Sequence, residues 1–232
     1  MKSRVVVIVQ ARMGSTRFPG KMLAKVGEIA VLDWVLRRVK RASRVDMVML
    51  ATSTDSKDDI LERFAQECNV AVFRGSEEDV LRRFAQAARQ SRADLVVRVC
   101  ADNPFVDPGE IDRLIDYFET HPSDYACNHQ DRLGSRYADG FGAEIFKATL
   151  LATLDKSVTD SRQREHVTLH LWENSKDFHL MAVPAPPELS FPELRFDVDG
   201  PEDIIFLNQL CSIGVTQEKS ASEIVKITSR NF

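Results

Sequence analysis

No apolar run in this chain approaches the ~18 residues that a membrane-spanning helix requires, so no membrane partner is expected. Cysteine is scarce. Four are scattered through 232 residues with no C-x-x-C pair, which speaks against a disulfide framework or a zinc site. Cys100 and Cys127 lie in apolar runs that read as strands, where they act as small buried hydrophobes in a reducing compartment. A basic excess is also missing. Lys and Arg number 31 against 35 Asp and Glu, and the formal net charge of −4 argues against a nucleic-acid partner. The dinucleotide fingerprint G-x-G-x-x-G is absent. So is a true P-loop, because five residues separate Gly14 from Gly20-Lys21 where that loop has four, and Met22 replaces the Ser or Thr that would hold magnesium. The first strand begins almost at the N-terminus and leaves no room for a signal peptide, so a cytoplasmic location is expected.

What the chain does have starts at residue 5, with VVVIVQARMGSTRFPGKMLAKVG. An apolar strand runs into a loop holding two glycines, a proline and three cations, Arg12, Arg17 and Lys21. Cations crowded beside a buried strand repel one another unless an anion joins them. Glycine-freed backbone together with fixed positive charge is a device for gripping phosphates.

Hydrophobic residues make up 44% of the chain, enough for a substantial core, and charged residues 28%. Strand and helix patterns alternate through the first half. Strands are expected at 4–9, 47–52, 70–73 and 94–99, with helices at 30–42, 56–67, 77–90 and 108–119. Apolar strands separated by amphipathic helices imply parallel pairing with both faces covered. The expected fold class is α/β: a three-layer α/β/α sandwich around a mostly parallel, Rossmann-like sheet. Ligands in such sheets bind beyond the carboxyl ends of the strands, where the 10–21 loop and the 52–55 and 100–107 turns converge. The second half reads as a polar loop or irregular hairpin at 128–142, a strand at 143–146, and helices at 147–155 and 161–174. Strands at 178–183 and 194–198 and a helix at 201–212 follow, and a C-terminal tail forms a helix that frays. Four prolines in 184–192 require an extended connection. One domain over 1–232, with an irregular insertion at about 128–190, is the simplest organisation.

The segment Q-A-R-M-G-S-T-R-F-P-G-K resembles the opening motif of the cytidylyltransferases that activate sugars as CMP-sugars. It is most similar to the spore-coat-polysaccharide branch, related to the acylneuraminate and Kdo enzymes, with Phe18 where Leu is usual. The resemblance implies a fold of the nucleotide-diphospho-sugar transferase type. It also implies that Gln10, Ala11, Arg12, Gly14, Ser15, Arg17 and Lys21 hold the triphosphate of CTP.

Two acids stand out further along. Asp102, in R-V-C-A-D-N-P-F-V-D-P, lies just past a buried strand, where it reads either as a metal carboxylate or as a turn-forming Asp. Asp107 before Pro108 fits a helix N-cap. In L-R-F-D-V-D-G-P-E-D, strand alternation puts Arg195, Asp197 and Asp199 on one face, to be reconciled by a divalent metal or by Arg195. The resemblance makes Asp102 and Asp199 the magnesium ligands, although Gly200 replaces the usual Thr. Glu202 and Asp203, in the first turn of a helix, read as structural. Arg12, Lys21, Asp102 and Asp199 are then the catalytic group: a sugar hydroxyl attacks the α-phosphorus in line and pyrophosphate leaves with its charge neutralised. No dedicated base is visible.

By the same resemblance, Thr52, Arg74 and Ser76 line the nucleoside pocket, with Ser76 reading equally as an N-cap and Arg98 as the partner of a buried acid. Asn128, Glu144, Glu165 and His166 are the expected acceptor contacts, from N-H-Q-D, Y-A-D-G-F-G-A-E and R-E-H-V-T, where Gly142-Ala143 replaces Asp-Val; Glu165 and His166 read equally as subunit-packing residues. The expected function is magnesium-dependent transfer of CMP from CTP to a sugar acid such as a nonulosonate, for surface polysaccharide or glycan synthesis. The resemblance also allows a homodimer. Two other readings stay open: a sugar-nucleotide-dependent glycosyltransferase, for which Asp197-Val198-Asp199 supplies a formal D-x-D, and a non-catalytic nucleotide-binding module.

Overall fold

A computed structural model describes residues 2–129 and 131–231. Seven strands form one sheet: β1 (Val5–Gln10), β4 (Met47–Ser53), β5 (Ala71–Gly75), β6 (Leu95–Cys100), β7 (Tyr125–Cys127), β8 (Glu144–Lys147) and β9 (Leu180–Ala182). A separate two-stranded hairpin, β2 (Lys25–Val26) and β3 (Ile29–Ala30), was not expected; Gly27, at φ 60°, makes its turn. The sheet order is β5-β4-β1-β6-β8-β7-β9. All its neighbours pair in parallel except β8, which runs antiparallel to both β6 and β7. This is the mixed α/β fold expected from the alternating pattern.

The three layers follow from the period-2 alternation of β1. Val5, Val7 and Val9 face α1 (Val31–Val39), α2 (Asp59–Glu67) and α4 (Pro108–Thr120). Val6 and Ile8 face α3 (Val80–Ser91) and α5 (Ala148–Ser157). On α1, Leu32, Val35, Leu36 and Val39 are fully buried, each contributing about 1.5–3 kcal/mol of transfer free energy. A third cluster joins Trp34, Phe105, Phe141 and Phe196 to α8 (Pro201–Ser212) and α9 (Ala221–Asn231), so the tail packs rather than frays. Among the described residues no helix is long and apolar enough to cross a membrane.

Asp107 caps α4 as expected, its Oδ1 accepting from the amides of Gly109 (2.7 Å) and Glu110 (3.2 Å). Its Oδ2 accepts from the Ala221 amide at 2.6 Å and lies 3.5 Å from the buried Arg38 guanidinium, tying α9 to α4 and α1.

Two further elements differ from expectation. The helix read at 161–174 is two short ones, α6 (Ser161–Glu165) and α7 (Leu169–Glu173), broken at His166. The Asp160 carboxylate caps α6 at the Arg162 and Gln163 amides, and Thr168 Oγ1 turns inward to Glu144. The continuous pattern concealed that long-range pull. The strand read at 194–198 is an isolated bridge between Asp139 and Arg195 followed by irregular chain, because Val198 donates its amide to the Asp102 carbonyl (2.8 Å) instead of to a strand. Residues 128–142, apart from residue 130, which lies outside the described residues, form an irregular loop held against β8. There Gly142 is obligatory, since a Cβ would sit 2.0 Å from the Asn128 carbonyl oxygen.

Candidate active site

The phosphate-type loop leaves β1 at Gln10 and is anchored from below by Asp58, a fully buried acid the sequence reading passed over. Its carboxylate accepts from the Met13 amide (2.8 Å), Thr52 Oγ1 (3.1 Å), the Ser53 amide (3.2 Å) and Ser53 Oγ (2.5 Å). Gly20, at φ 76°, turns the chain into a short 3₁₀ helix, Lys21–Leu23. Lys21 Nζ thereby reaches Asp102 Oδ2 at 2.8 Å and the Val198 carbonyl at 2.7 Å, with Asp199 Oδ1 at 3.9 Å. Arg17 bonds Asp199 Oδ2 at 2.8 Å, and Arg12 meets Glu165 Oε1 at 3.4 Å. Asp199 is aimed by Asp203, whose Oδ2 accepts the amides of both Asp199 and Gly200 at 2.7 Å. That is the structural role expected of Asp203.

Two clefts meet at Asp102. The smaller, of about 220 Å³, is lined by Gln10, Ala11, Arg12, Ser15, Arg17 and Lys21. The larger, of about 500 Å³, is walled by His129, Arg132, Asp139, Glu144, His166 and Trp172, with Asp197 and Asp199 at its rim. Asp102, Arg17 and Cys100 line both. Burial pushes the Cys100 thiol up to about 12, so it stays protonated at neutral pH.

Glu144 forms the floor of the larger cleft. Its Oε1 accepts from Tyr125 Oη at 2.6 Å and Thr168 Oγ1 at 3.1 Å and lies 3.5 Å from His129 Nε2, while Oε2 meets Arg98. Burial opposes its ionisation, but the Arg98 guanidinium and the donors around it prevail and hold the carboxyl well below its ordinary range. Arg98 is therefore the partner of a buried acid, as anticipated, and also grips Gln10 Oε1 at 3.1 and 3.2 Å. Asp139 behaves oppositely: burial, and then the charge of Asp197, push it up to about 6. Arg195 bonds Asp197 at 2.7 Å and lies 3.6 Å from Asp199, so the arginine reconciles the two acids without strand alternation.

Several residues expected to make contacts line neither cleft. Arg74 is committed to the Ser53 and Asp55 carbonyls (2.8 Å each), Asp59 (2.7 Å) and Glu62 (2.9 Å). Thr52 is fully buried on Asp58. Ser76 Oγ accepts the Asp79 amide at 3.0 Å, and Asp79, rather than Ser76, caps α3. None of the three lines either cleft. Gly14 faces the Lys57–Glu77 ion pair. Asn128 is fully buried, its side chain bonding the Glu110 carbonyl (2.8 Å) and the Ala143 amide (2.9 Å), so it shapes the loop behind the larger cleft. His129, Arg132, Asp139 and Trp172 were not singled out. Only the folded loop, packed against α7, brings them together, with Arg132 stacked 4.6 Å over the Trp172 ring.

The chain is 33% identical over 233 residues to the spore coat polysaccharide biosynthesis protein SpsF of Bacillus subtilis, covering 98% of this chain and 95% of that one. The solved cytidylyltransferase of Leptospira borgpetersenii superposes with a TM-score of 0.91 at 30% identity, over 99% of this chain and 95% of that one. A CMP:2-keto-3-deoxy-manno-octonic acid synthetase solved with CTP shares the fold at a TM-score of 0.69 and 16% identity, over 92% and 100% of the two chains. With these likenesses spanning nearly its whole length, and the family's sequence model matching residues 6–228, the chain belongs to the cytidylyltransferase family.

Proposed function

We propose that this enzyme transfers CMP from CTP to a sugar acid, releasing pyrophosphate, in the synthesis of a surface polysaccharide or glycan. One observation carries the reading: Arg17 and Lys21 of the loop meet Asp102 and Asp199 where the two clefts join. The smaller cleft then takes the triphosphate and the larger one the sugar.

Two carboxylates within reach of one ammonium match the donor set that magnesium accepts, one or two carboxylates completed by substrate phosphates and water. Asp102 and Asp199 would hold the ion, which would supply Lewis-acid stabilisation of charge on the phosphates. Arg12, Arg17 and Lys21 neutralise the departing pyrophosphate, and preorganised charge of this kind is worth more in a cleft than in water. Glu165 and a phosphate would compete for the same Arg12 guanidinium, which supports reading Glu165 as a residue at the border between the sites. His166, at the break between α6 and α7, faces the acceptor side.

Thermal unfolding with magnesium and each of CTP, UTP, GTP, ATP and a UDP-sugar tests the reading. A ligand at 100 times its dissociation constant stabilises by about 2.7 kcal/mol. Selective stabilisation by CTP is expected. Preference for the UDP-sugar would favour a glycosyltransferase, and silence with every nucleotide would refute nucleotide binding.

A further inference from the structure

The acid on the cleft floor is already engaged on both oxygens, by Tyr125, Thr168 and Arg98, with the imidazole of His129 beside it. Glu144 therefore acts on a ligand through the groups it holds. Of these, Tyr125 is pushed far up by burial and then by Glu144 itself, Arg98 is raised by its partners against burial, and Thr168 does not titrate. Of the groups that Glu144 holds, only the imidazole offers a ring nitrogen that can accept a hydroxyl proton while its other nitrogen faces the carboxylate.

His129 follows the carboxyl end of β7, on the sheet edge where Asp102 follows β6, and its side chain is 12% exposed and lines the cleft that Asp102 and Asp199 also line. The 3.5 Å approach of Nε2 to Glu144 Oε1 is an electrostatic contact, its geometry short of a hydrogen bond. A carboxylate facing Nε2 favours hydrogen on that nitrogen and leaves Nδ1 as the acceptor.

We propose that His129, oriented by Glu144, takes the proton of the attacking sugar hydroxyl. This rests on reading the larger cleft as the acceptor site. The O–H bond breaks and its proton passes to Nδ1. The freed oxygen pair forms the new bond to the α-phosphorus, and the α–β bridging bond breaks with its electrons leaving on pyrophosphate. The imidazolium is stabilised beside Glu144 and returns its proton to solvent.

The charges around the imidazole come from every neighbouring element: Arg98 on β6, Glu144 on β8, Arg132 and Asp139 on its own loop, Asp197 on the 194–198 segment, and His166 beyond α6. Asp139, pushed up to about 6, titrates within the assayed pH span, so a pH profile must be read against variants.

The test measures pyrophosphate release from magnesium-CTP with 2-keto-3-deoxy-manno-octonic acid and with N-acetylneuraminic acid, between about pH 5 and pH 9. Wild type, His129→Gln and Asp139→Asn are compared. His129→Gln is expected to lower kcat about 100-fold, to leave the KM for CTP unchanged, and to abolish the acid limb that Asp139→Asn retains. A kcat within about threefold of wild type with the limb intact would overturn the proposal. Nitrogen-15 NMR of His129 in the full chain supplies an arm independent of the sugar. The Nε2–H form is expected, and an Nδ1–H form that is unchanged in Glu144→Gln would overturn the orientation. CTP binding without turnover of either sugar would overturn the acceptor reading, and the proton transfer with it, while the NMR arm still reports the His129–Glu144 pair.

Discussion

Replacing Glu144 by Gln distinguishes an acid that binds ligand from one that organises the cleft. Gln keeps the shape and removes the charge opposite Arg98. The two side chains are 3% and 17% exposed, so the arginine would be left largely buried without its counter-charge. Breaking a buried pair from one side costs about 3–5 kcal/mol. At about 2–4 °C per kcal/mol for a chain of this size, the midpoint should fall by about 6–20 °C. The pH signature has a definite sign. The folded carboxyl titrates well below its ordinary 4.5, so its contribution is complete above that value and is lost as pH falls through the folded value. Urea unfolding of the variant should therefore show a large deficit at neutral pH that narrows in acid. Arg98→Met in the Glu144→Gln background should cost much less than in wild type. A variant as stable as wild type but weak in acceptor binding would refute the structural role.

Lys21→Ala should weaken CTP binding far more than CMP binding by calorimetry; equal losses would mean that Lys21 does not touch the β or γ phosphates. Asp107→Ala removes a cap worth about 1 kcal/mol and strands a buried Ala221 amide worth about 1–3 kcal/mol. Hydrogen exchange should then quicken throughout α9, and unchanged protection there would exclude the tether. Asp139 titrates at about 6, above its ordinary 3.8, so its protonated form contributes fully below about 4 and that contribution is lost as pH rises through 6. Asp139→Asn should gain up to about 3 kcal/mol on wild type between pH 4 and pH 7 in urea unfolding, and a constant difference would count against the shift.

Local chemistry explains what could be read without coordinates. The continuous apolar run of β1, the spacing of the loop cations and the Asp107-Pro108 cap depend on residues within a few positions of one another, and they locate the sheet, the cationic loop and the start of α4. The partners that the side chains take are harder to read. Thr52 and Arg74 carry suitable chemistry in suitable turns, but Asp58, Asp59 and Glu62, 6 to 15 residues away in the turn and helix after β4, take them as partners, a pairing that no short-range pattern signals. Arg12 meets Glu165 across a sequence distance of 153 residues, and no periodicity encodes such a meeting.

By itself, then, the sequence determined the alternating α/β frame, the cationic loop after the first strand and the two acids at 102 and 199, because each follows from short-range pattern or from a contiguous motif. Tertiary structure alone decided the reversal of β8, the break at His166, and which acids are free to meet a ligand. Burial and long-range counter-charge keep Glu144 ionised and raise Asp139, and those quantities exist only once β6, β7, β8 and the 128–142 loop stand side by side.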